Sequence, residues 1–431
     1  MRIALVSEHA SPMALAGGVD SGGQNIYVAN VAKQLAAHGF QVDVFTRRDS
    51  AVLPDILAWQ PGVRIINVTA GPPRQLPKEK LLEHMDAFGL WMRNFMAQQP
   101  FAYDVVHANF FMSGLAALHV TTEFKLPLVM TFHALGRVRR LHQGDADQFP
   151  PERIAIEEHL IRQADCIVAE CPQDLEDLTV LYRADKRKID VIPCGYDAAE
   201  FAPTDRDRAR RELGWDPDAF SILQLGRMVP RKGVDNVVRA LGQLRHDHGI
   251  DGRLYVVGGN STEPNPAATP EIGRLRTIAD EAGVSDLVNF VGRRGRGALA
   301  TYYGAADVFV TTPWYEPFGI TPVEAMACGR AVIGASVGGI RSTVKAGETG
   351  LLVPPNDPSA LAAAMARLAL DPALCKRMGQ AGRRRAESRF TWRGVTQELM
   401  RVYQRFSPVT AQARSGATAH VRAPVAAAAA K

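Results

Sequence analysis

Cysteines are few in this sequence, and none of them lies in a pattern that binds metal or builds a disulfide framework. The chain of 431 residues has five, with no Cys-x-x-Cys pair among them. An odd and scattered set argues against structural disulfides and structural zinc. We therefore expect small buried thiols at Cys166, Cys171, Cys194, Cys328 and Cys375.

Long hydrophobic runs are missing as well. No apolar segment reaches the ~18 residues that a membrane-spanning helix needs. The N-terminal stretch MRIALVSEH is typical of a buried strand and not of a signal peptide. These features predict a cytoplasmic protein.

Charge of one sign is not in large excess, since the formal net charge is +5. This mild excess favours anionic small molecules as ligands, or weak peripheral contact with an acidic membrane surface. Motifs that stack on bases or read a groove are not evident, so we expect no nucleic-acid partner. The sequence does not indicate an oligomeric state.

Glycine and hydrophobic residues are abundant, with 37 glycines and a hydrophobic fraction of 46%. A chain of this length has room for two domains that each bury a core. Short β-branched runs alternate with helical patterns, which predicts α/β domains with parallel sheets. We expect strands at 2–8, 41–47, 63–68, 104–109, 127–133, 166–170 and 189–193, and a second series at 221–227, 254–259, 288–293, 307–312, 331–336 and 350–355.

The repeated series predicts two doubly wound lobes that face each other across a ligand-binding cleft. We place the first lobe at 1–195 and the second at 205–388. A helix with one apolar face is expected at 390–406, and the low-complexity segment 407–431 is expected to be disordered.

Two carboxylates stand eight residues apart in TTPWYEPFGITPVEAMACG, at Glu316 and Glu324. Thr321, Pro322 and Glu324 have the spacing of an N-cap, a first and a third helical residue. Glu324 thus has a structural interpretation as a capping-box residue, worth about 1 kcal/mol.

A functional interpretation of the same turn is equally open. The amides of Gly319, Ile320 and Thr321 would lie at a helix N-terminus, which is a site for anions. A phosphate cradle flanked by two carboxylates suits a sugar joined to a nucleotide diphosphate.

Two further segments support this interpretation. LGRMVPRKG places Arg227 at the end of a strand and Lys232 before a helix, where two cations would neutralise a pyrophosphate. The glycine-rich GGVDSGGQN contains Gly22 and Gly23, which let backbone approach a ligand, although the G-x-G-x-x-G spacing is absent.

Together these motifs resemble those of a known enzyme family. EPFGITPVE, GRMVPRKG, DSGGQNIYV and the THALGR-like stretch around His133 resemble the retaining glycosyltransferases of family four, over residues 1 to about 406. The resemblance implies the GT-B fold, with two Rossmann-like lobes and a last helix that crosses back to the first lobe. Within the family, the chain is most similar to sucrose-phosphate synthases and bacterial inositol-phosphate glycosyltransferases.

The resemblance also implies roles for individual residues. Arg227 and Lys232 would hold the donor diphosphate, Glu316 the sugar hydroxyls and Glu324 the ribose, with His133 near the anomeric carbon. The catalytic set is thus His133, Arg227, Lys232 and Glu316, and further donor contacts would come from Gly22, Gly23, Arg293, Phe318, Gly319, Ile320 and Thr321.

The implied reaction moves a hexosyl group from a nucleotide diphosphate sugar, with UDP-glucose first, to a small phosphorylated sugar. It is expected to need no cofactor and no metal, and the Asp145 and Asp147 pair is interpreted as solvated acids. Acceptor contacts are predicted at Gln24, Lys78, Arg137 and Arg153.

Several alternatives stay open at this level. An inositol-phosphate acceptor is disfavoured because Phe110 and Ala134 stand where that branch has an aromatic hydroxyl and a threonine. A cell-surface glycan is another possible acceptor. Other classes are a nucleotide-sugar epimerase or phosphorylase on the same scaffold, and a noncatalytic nucleotide-sugar-binding protein.

Overall fold

A computed structural model describes residues 1–14 and 22–406 of the chain. The segment 407–431, predicted to be disordered, lies outside the described residues. The described part contains two sheets, one of eight strands and one of six.

The first sheet has the strand order β3-β4-β2-β1-β5-β6-β7-β8. Its neighbours pair in parallel except β3, which is antiparallel to β4. The strands are Arg2–Val6 (β1), Gln41–Arg47 (β2), Ile56–Gln60 (β3), Val63–Val68 (β4), Val105–Asn109 (β5), Leu128–Thr131 (β6), Cys166–Ala169 (β7) and Ile189–Val191 (β8).

The second sheet is parallel throughout, with the order β11-β10-β9-β12-β13-β14. This is the doubly wound 3-2-1-4-5-6 order, whose chain reversal creates a crevice at the carboxyl ends of the strands. The strands are Ser221–Leu225 (β9), Arg253–Val257 (β10), Val288–Gly292 (β11), Val308–Thr311 (β12), Ala331–Ala335 (β13) and Gly350–Val353 (β14). We call β1–β8 with their helices the first lobe, and β9–β14 with theirs the second lobe.

Helices connect the strands and cover both faces of the sheets. In the first half of the chain they are Gly23–Ala37 (α1), Met85–Ala97 (α2), Phe111–Phe124 (α3), Gly136–Gln143 (α4), Glu152–Gln163 (α5) and Pro172–Tyr182 (α6). In the second half they are Arg206–Leu213 (α7), Val234–His248 (α8), Pro270–Glu281 (α9), Arg296–Ala305 (α10), Ile320–Ala327 (α11), Ile340–Thr343 (α12), Pro358–Leu370 (α13), Pro372–Arg389 (α14) and Trp392–Gln404 (α15).

The predicted α/β architecture of two doubly wound lobes is confirmed, and each expected strand is present with ends that differ by up to two residues. Buried parallel strands are apolar on both faces, which made runs such as RIALV recognisable. The edge strand β3 was missed because it is half exposed and only five residues long. The signal available for it was the Pro61-Gly62 turn, where Gly62 has a φ of +81°.

The last helix, α15, packs against the first lobe. The hydroxyl of Tyr403 forms a 2.6 Å hydrogen bond with Nδ1 of His107 on β5. The ring of Trp392 meets that of Tyr27 on α1 edge-on at 5.7 Å. The chain therefore returns from the second lobe to the first, and this contact ties the two lobes together.

No helix in the two described ranges is long and apolar enough to span a membrane. All five cysteines are free thiols, and only Cys375 is not fully buried. The expectation of small buried thiols is confirmed for the other four.

Candidate active site

A cleft of about 1190 Å³ lies between the two lobes, lined by the loops that follow β1, β5, β6, β9 and β12. Each of these loops follows the carboxyl end of a strand, near the position where the strand order of its sheet reverses direction. The cleft brings together most of the residues predicted from the sequence: Gly22, Gly23, Gln24, Lys78, His133, Arg227, Lys232, Arg293, Glu316, Phe318, Gly319, Ile320, Thr321 and Glu324.

An ion pair between Lys232 and Glu316 lies at the mouth of the second lobe. Lys232 ends a short 3-10 turn after β9, and Gly233 follows it with a φ of +65°. The hydroxyl of Thr312 donates a 2.8 Å hydrogen bond to the carbonyl of Gly233, and the amide of Trp314 donates one of 2.9 Å to that of Arg231. These two bonds lock the β9 loop onto the β12 loop and hold the pair in place.

Positive charge dominates this end of the cleft. Burial alone would raise the pKa of the Glu316 carboxyl, but the charges of Lys232, Arg231 and Arg227 outweigh burial and lower it. Burial lowers the pKa of Lys232, against the opposing attraction of Glu316. Glu316 is therefore ionised at neutral pH, beside three cationic side chains.

Two glycines fix the backbone of Glu316 from behind. The amide of Gly339 donates a 2.9 Å hydrogen bond to the carbonyl of Glu316. A Cβ at Gly338 would lie 2.0 Å from that same carbonyl oxygen. Only glycine allows this approach, so the SVGG segment shapes the loop that carries Glu316.

Helix α11 begins at Ile320, with Gly319 as its N-cap residue at a φ of +94°. The capping-box expectation for Glu324 is therefore wrong, because Thr321 is already inside the helix. The amides of the first helical turn have no partner within the helix, and Gly319, Ile320 and Thr321 line the cleft. The turn thus presents the dipole and amides of a helix N-terminus to the cleft.

Glu324 is buried and held from two sides. Its Oε2 accepts a 3.1 Å hydrogen bond from the hydroxyl of Tyr303, and its Oε1 lies 3.0 Å from Nη1 of Arg296. Burial raises the pKa of Glu324 despite the charge of Arg296. The carboxyl remains at the edge of the cleft, where it is positioned by side chains and not by a helix cap.

His133 lies in the cleft with both ring nitrogens already occupied. Nδ1 is 2.9 Å from Oε1 of Glu170, and Nε2 is 3.0 Å from Oδ1 of Asn109. The residue has a φ of +57°, a strained conformation that is often found at functional sites. In this arrangement the ring has no nitrogen left for a ligand.

The other predicted donor residues lie around these groups. A Cβ at Gly23 would be 3.3 Å from Cδ1 of Ile320, so the first lobe approaches the second closely there. Phe318 is buried behind the turn and packs against Phe390 with a ring separation of 5.9 Å. The backbone amide of Arg293 donates a 2.8 Å hydrogen bond to the backbone carbonyl of Ser261, which fixes the loop after β11.

The predicted acceptor residues divide into two groups. Gln24 and Lys78 line the cleft. Arg153 is 1% exposed and pairs at 2.7 Å with Glu157 inside the first lobe. Arg137 pairs with Glu158 away from the cleft lining. Neither of these two arginines is among the residues that line the cleft, and their role in binding an acceptor stays a prediction.

Sequence reasoning missed several cleft residues, of which Arg231 and Tyr315 are the most informative. The Arg231 guanidinium stacks 5.2 Å from the centre of the Tyr315 ring. Arg139 pairs at 2.7 Å with Asp147, whose side chain is only 3% exposed, so the interpretation of Asp147 as a solvated acid is wrong. The adjacency of Arg231 to Lys232 was the signal available in the sequence.

Tyr315 also joins the two lobes. Its ring stacks on that of His142 of α4 at 5.2 Å, and its hydroxyl accepts a hydrogen bond from Gln143. Because Tyr315 precedes Glu316 in the chain, this contact between the lobes lies directly beside the ion pair of Lys232 and Glu316.

Within residues 1–14 and 22–406, no group of three His, Cys, Asp or Glu side chains is arranged to hold a metal ion. The expectation that the reaction needs no metal stays a prediction for solution experiments.

Comparisons with known proteins agree with this arrangement. A family profile described as Glycosyltransferase Family 4 matches residues 21–200, and one described as Glycosyl transferases group 1 matches residues 205–385. The D-inositol 3-phosphate glycosyltransferase of Actinosynnema mirum is 38% identical, over 93% of this chain and 96% of that protein. The enzyme of the same name from Acidothermus cellulolyticus is 37% identical, over 97% of this chain and 92% of that protein.

Among solved structures, the sucrose-phosphate synthase of Thermosynechococcus elongatus superimposes with a TM-score of 0.85 and 35% identity. The match covers 94% of this chain and 98% of that one.

Proposed function

The chain belongs to glycosyltransferase family 4, and from that premise we propose that it transfers a hexosyl group, with retention of configuration, from a nucleotide diphosphate sugar to a small phosphorylated sugar. We assign the donor to the lobe at 205–388 and the acceptor to the lobe at 1–195. The observation that supports this most is the cluster of Arg227, Lys232 and Glu316 beside the N-terminus of α11.

The second lobe can stabilise a departing diphosphate. When the bond between the anomeric carbon and the phosphate oxygen breaks, the electron pair stays on the leaving oxygen. Arg227 and Lys232 place positive charge there, and the first-turn amides of α11 add hydrogen-bond donors. Preorganised charge of this kind is usually the largest contribution to catalysis.

The bond to the acceptor forms as the leaving group departs. The acceptor hydroxyl oxygen bonds to the anomeric carbon on the face that the diphosphate leaves, and the hydroxyl proton passes to the leaving phosphate oxygen. Glu316 accepts hydrogen bonds from donor sugar hydroxyls in this scheme and keeps Lys232 in position.

The identity of the acceptor has two candidates. The likeness to a sucrose-phosphate synthase supports a hexose phosphate. The names of the curated relatives favour an inositol phosphate, although Phe110 and Ala134 offer that ligand no side-chain hydroxyl. Lys78 lines the cleft and supplies a cation for either acceptor phosphate.

The experiment has two stages. UDP-, ADP- and GDP-glucose are first screened for thermal stabilisation of the protein, and UDP-glucose is expected to stabilise most. The stabilising donor is then incubated with hexose phosphates and with inositol 3-phosphate, and products are identified by mass spectrometry and by the anomeric coupling in NMR spectra.

The outcomes separate the alternatives. Glu316→Gln is the control and is expected to form no product. A changed donor sugar without any acceptor would indicate an epimerase, and consumption of inorganic phosphate would indicate a phosphorylase. Donor binding without turnover on any acceptor would indicate a noncatalytic binding protein, and an inverted product would contradict the proposed stereochemistry.

A further inference from the structure

We propose that Arg296 is a positioning residue for the donor nucleotide, and that it acts by holding the carboxylate of Glu324 against the ribose hydroxyls. This inference rests on the proposed transfer from a nucleotide diphosphate sugar and adds a residue that sets the affinity for the nucleotide. Arg296 is the first residue of α10 and lines the cleft. It was not among the residues predicted from the sequence.

Glu324 is placed for a ligand that carries hydroxyl groups. The cations Arg227 and Lys232 and the first turn of α11 suit the diphosphate. Glu316 precedes that turn and Glu324 follows it, so the two carboxylates flank the diphosphate site. A carboxylate accepts hydrogen bonds from hydroxyls and repels a phosphate. With Glu316 assigned to the donor sugar, the ribose is the hydroxyl-bearing group left for Glu324.

One face of α10 holds Glu324 through both of its oxygens. Arg296 and Tyr303 are seven residues apart, which places them on the same face of the helix. Nη1 of Arg296 lies 3.0 Å from Oε1 of Glu324, and the hydroxyl of Tyr303 donates a 3.1 Å hydrogen bond to Oε2. Each oxygen thus has its own partner, and the orientation of the carboxylate is fixed.

The charge of Arg296 also favours the ionised form of Glu324. Glu324 is 2% exposed, and burial raises the pKa of its carboxyl. The guanidinium of Arg296 opposes that shift. Without this cation, burial would favour the protonated carboxyl more strongly. A neutral carboxyl forms weaker hydrogen bonds with hydroxyls than a carboxylate does.

The chain segment that joins the two lobes braces Arg296. Glu200 of this segment accepts a hydrogen bond from Nε of Arg296. The guanidinium also lies 4.8 Å from the centre of the Phe201 ring. Phe201 is 1% exposed and meets the ring of Tyr303 edge-on at 5.8 Å. These contacts leave Nη1 directed at Glu324.

Arg210 shows how an arginine with a structural role is placed in the same lobe. All three of its side-chain nitrogens donate hydrogen bonds, to backbone carbonyls such as that of Ala305 and to the carboxylate of Asp307. In the part of the chain that the structure describes, Nη2 of Arg296 is buried without a hydrogen-bond partner. An unpaired buried donor costs stability. The position of Arg296 is therefore explained by the carboxylate that it holds and not by core packing.

The test compares nucleotide affinities by calorimetry. UDP, ADP and GDP are titrated into the wild type, and the one that binds most tightly is compared with its 2′,3′-dideoxy form. The wild type is expected to prefer the ribonucleotide by ~10-fold, the effect of a lost hydrogen bond to a charged group. Arg296→Met is expected to bind the ribonucleotide ~10-fold more weakly and to bind the two forms equally, because the two changes remove the same contact.

Further variants separate positioning from a general loss of structure. Arg296→Lys keeps the charge and is expected to retain part of the preference for the ribonucleotide. Glu200→Gln changes a side chain that is 40% exposed, and it is expected to fold and to reduce the preference less than Arg296→Met does. The matched control is Arg383→Met, which breaks a 2.7 Å pair with Glu387 in the same lobe and is expected to bind both forms as the wild type does. In initial-rate assays, Arg296→Met is expected to raise the donor KM and to leave the acceptor KM unchanged.

The outcomes distinguish this inference from the transferase function. A folded Arg296→Met protein with the wild-type ratio of affinities for the two forms would overturn the inference, as would equal binding of the two forms by the wild type. If Arg296→Met does not fold, an unchanged ratio in both Arg296→Lys and Glu200→Gln would overturn it. All three results would leave the transferase function standing. Failure of all three nucleoside diphosphates to bind the wild type would overturn both.

Discussion

Lys232→Met is the substitution that tests the leaving-group site most sharply. The change removes one charge and keeps a side chain of similar length. Lys232 and Glu316 are each 17% exposed, so a diphosphate bound there is largely shielded from water. Removal of one preorganised donor to developing negative charge typically costs about 2.7–4 kcal/mol, or ~10²–10³-fold in rate. We expect a loss of transfer rate in that range.

The fold is expected to survive this substitution. Loss of one partner of a fully buried pair costs about 3–5 kcal/mol. Here the cost is expected to be smaller, because the pair is partly exposed and Glu316 keeps the charges of Arg231 and Arg227 nearby. Far-UV circular dichroism and thermal unfolding check this point.

The assay is single-turnover transfer with saturating donor and acceptor, with Lys345→Met as the matched control. Lys345 is 60% exposed and belongs to the same lobe, so its removal is expected to leave the rate unchanged. A folded Lys232→Met protein that turns over within threefold of the wild type would refute the assigned role.

Three further predictions concern the elements that support the site. Gly338→Ala is expected to displace Glu316, because the new Cβ would lie 2.0 Å from the Glu316 carbonyl oxygen, and to lower the transfer rate by on the order of 100-fold. The control is Gly347→Ala, where the glycine has a φ of +77° but its Cβ would point into open space. Equal transfer rates in the two variants would contradict the argument. Burial, with the nearby charge of Glu170, raises the pKa of Asp174 from 3.8 to about 8. Between about pH 4 and pH 8 this carboxyl is therefore ionised in the unfolded chain and protonated in the folded protein, so the free energy of unfolding of the wild type falls as the pH rises through that range. Urea unfolding measured at several pH values is expected to show a smaller fall for Asp174→Asn than for the wild type. An equal fall in the two proteins would contradict the burial of Asp174. Tyr315→Phe removes a hydrogen bond between the lobes; small-angle scattering is expected to show compaction on donor binding in the wild type and less in the variant, and identical profiles would contradict the coupling.

The fold was predictable because its signals are local. Parallel strands buried on both faces produce continuous apolar runs, and two series of such runs indicate two doubly wound lobes. The ends of the strands were less predictable. His133, for example, lies beyond the end of β6 because its φ of +57° cannot continue a strand. Edge strand β3 carries half-exposed residues and lacked the apolar run.

The donor side of the candidate site was predictable because it is compact in sequence. Arg227 and Lys232 lie on one loop, and Glu316 and the first turn of α11 on another, so motif spacing places them at neighbouring strand ends. Glu324 shows the limit of spacing. Its position after Thr321 and Pro322 has the form of a capping box, but the positive φ of Gly319 starts the helix two residues earlier.

The acceptor side was less predictable because it depends on tertiary contacts. Arg153 looks like a cleft cation in the sequence, yet it is buried under Phe110, Phe111 and Phe149, with ring centres 4.6–4.9 Å away. His9 has no motif of its own. Its place in the cleft becomes visible only in the fold, where Glu8 contacts both His9 and Ser113, more than a hundred residues away in the chain.

The central claim is that fixed positive charge and helix-end amides in the second lobe receive the diphosphate of the donor. The most direct measurement is calorimetric titration of UDP and UMP, in the presence of a chelator, into the wild type and into Arg227→Met/Lys232→Met. Two lost charge-assisted hydrogen bonds are worth about 3–6 kcal/mol together. The wild type is expected to prefer UDP by at least ~100-fold, and the double variant to lose that preference. An unchanged ratio of affinities in the double variant, or loss of UDP binding to the wild type on chelation, would contradict the account.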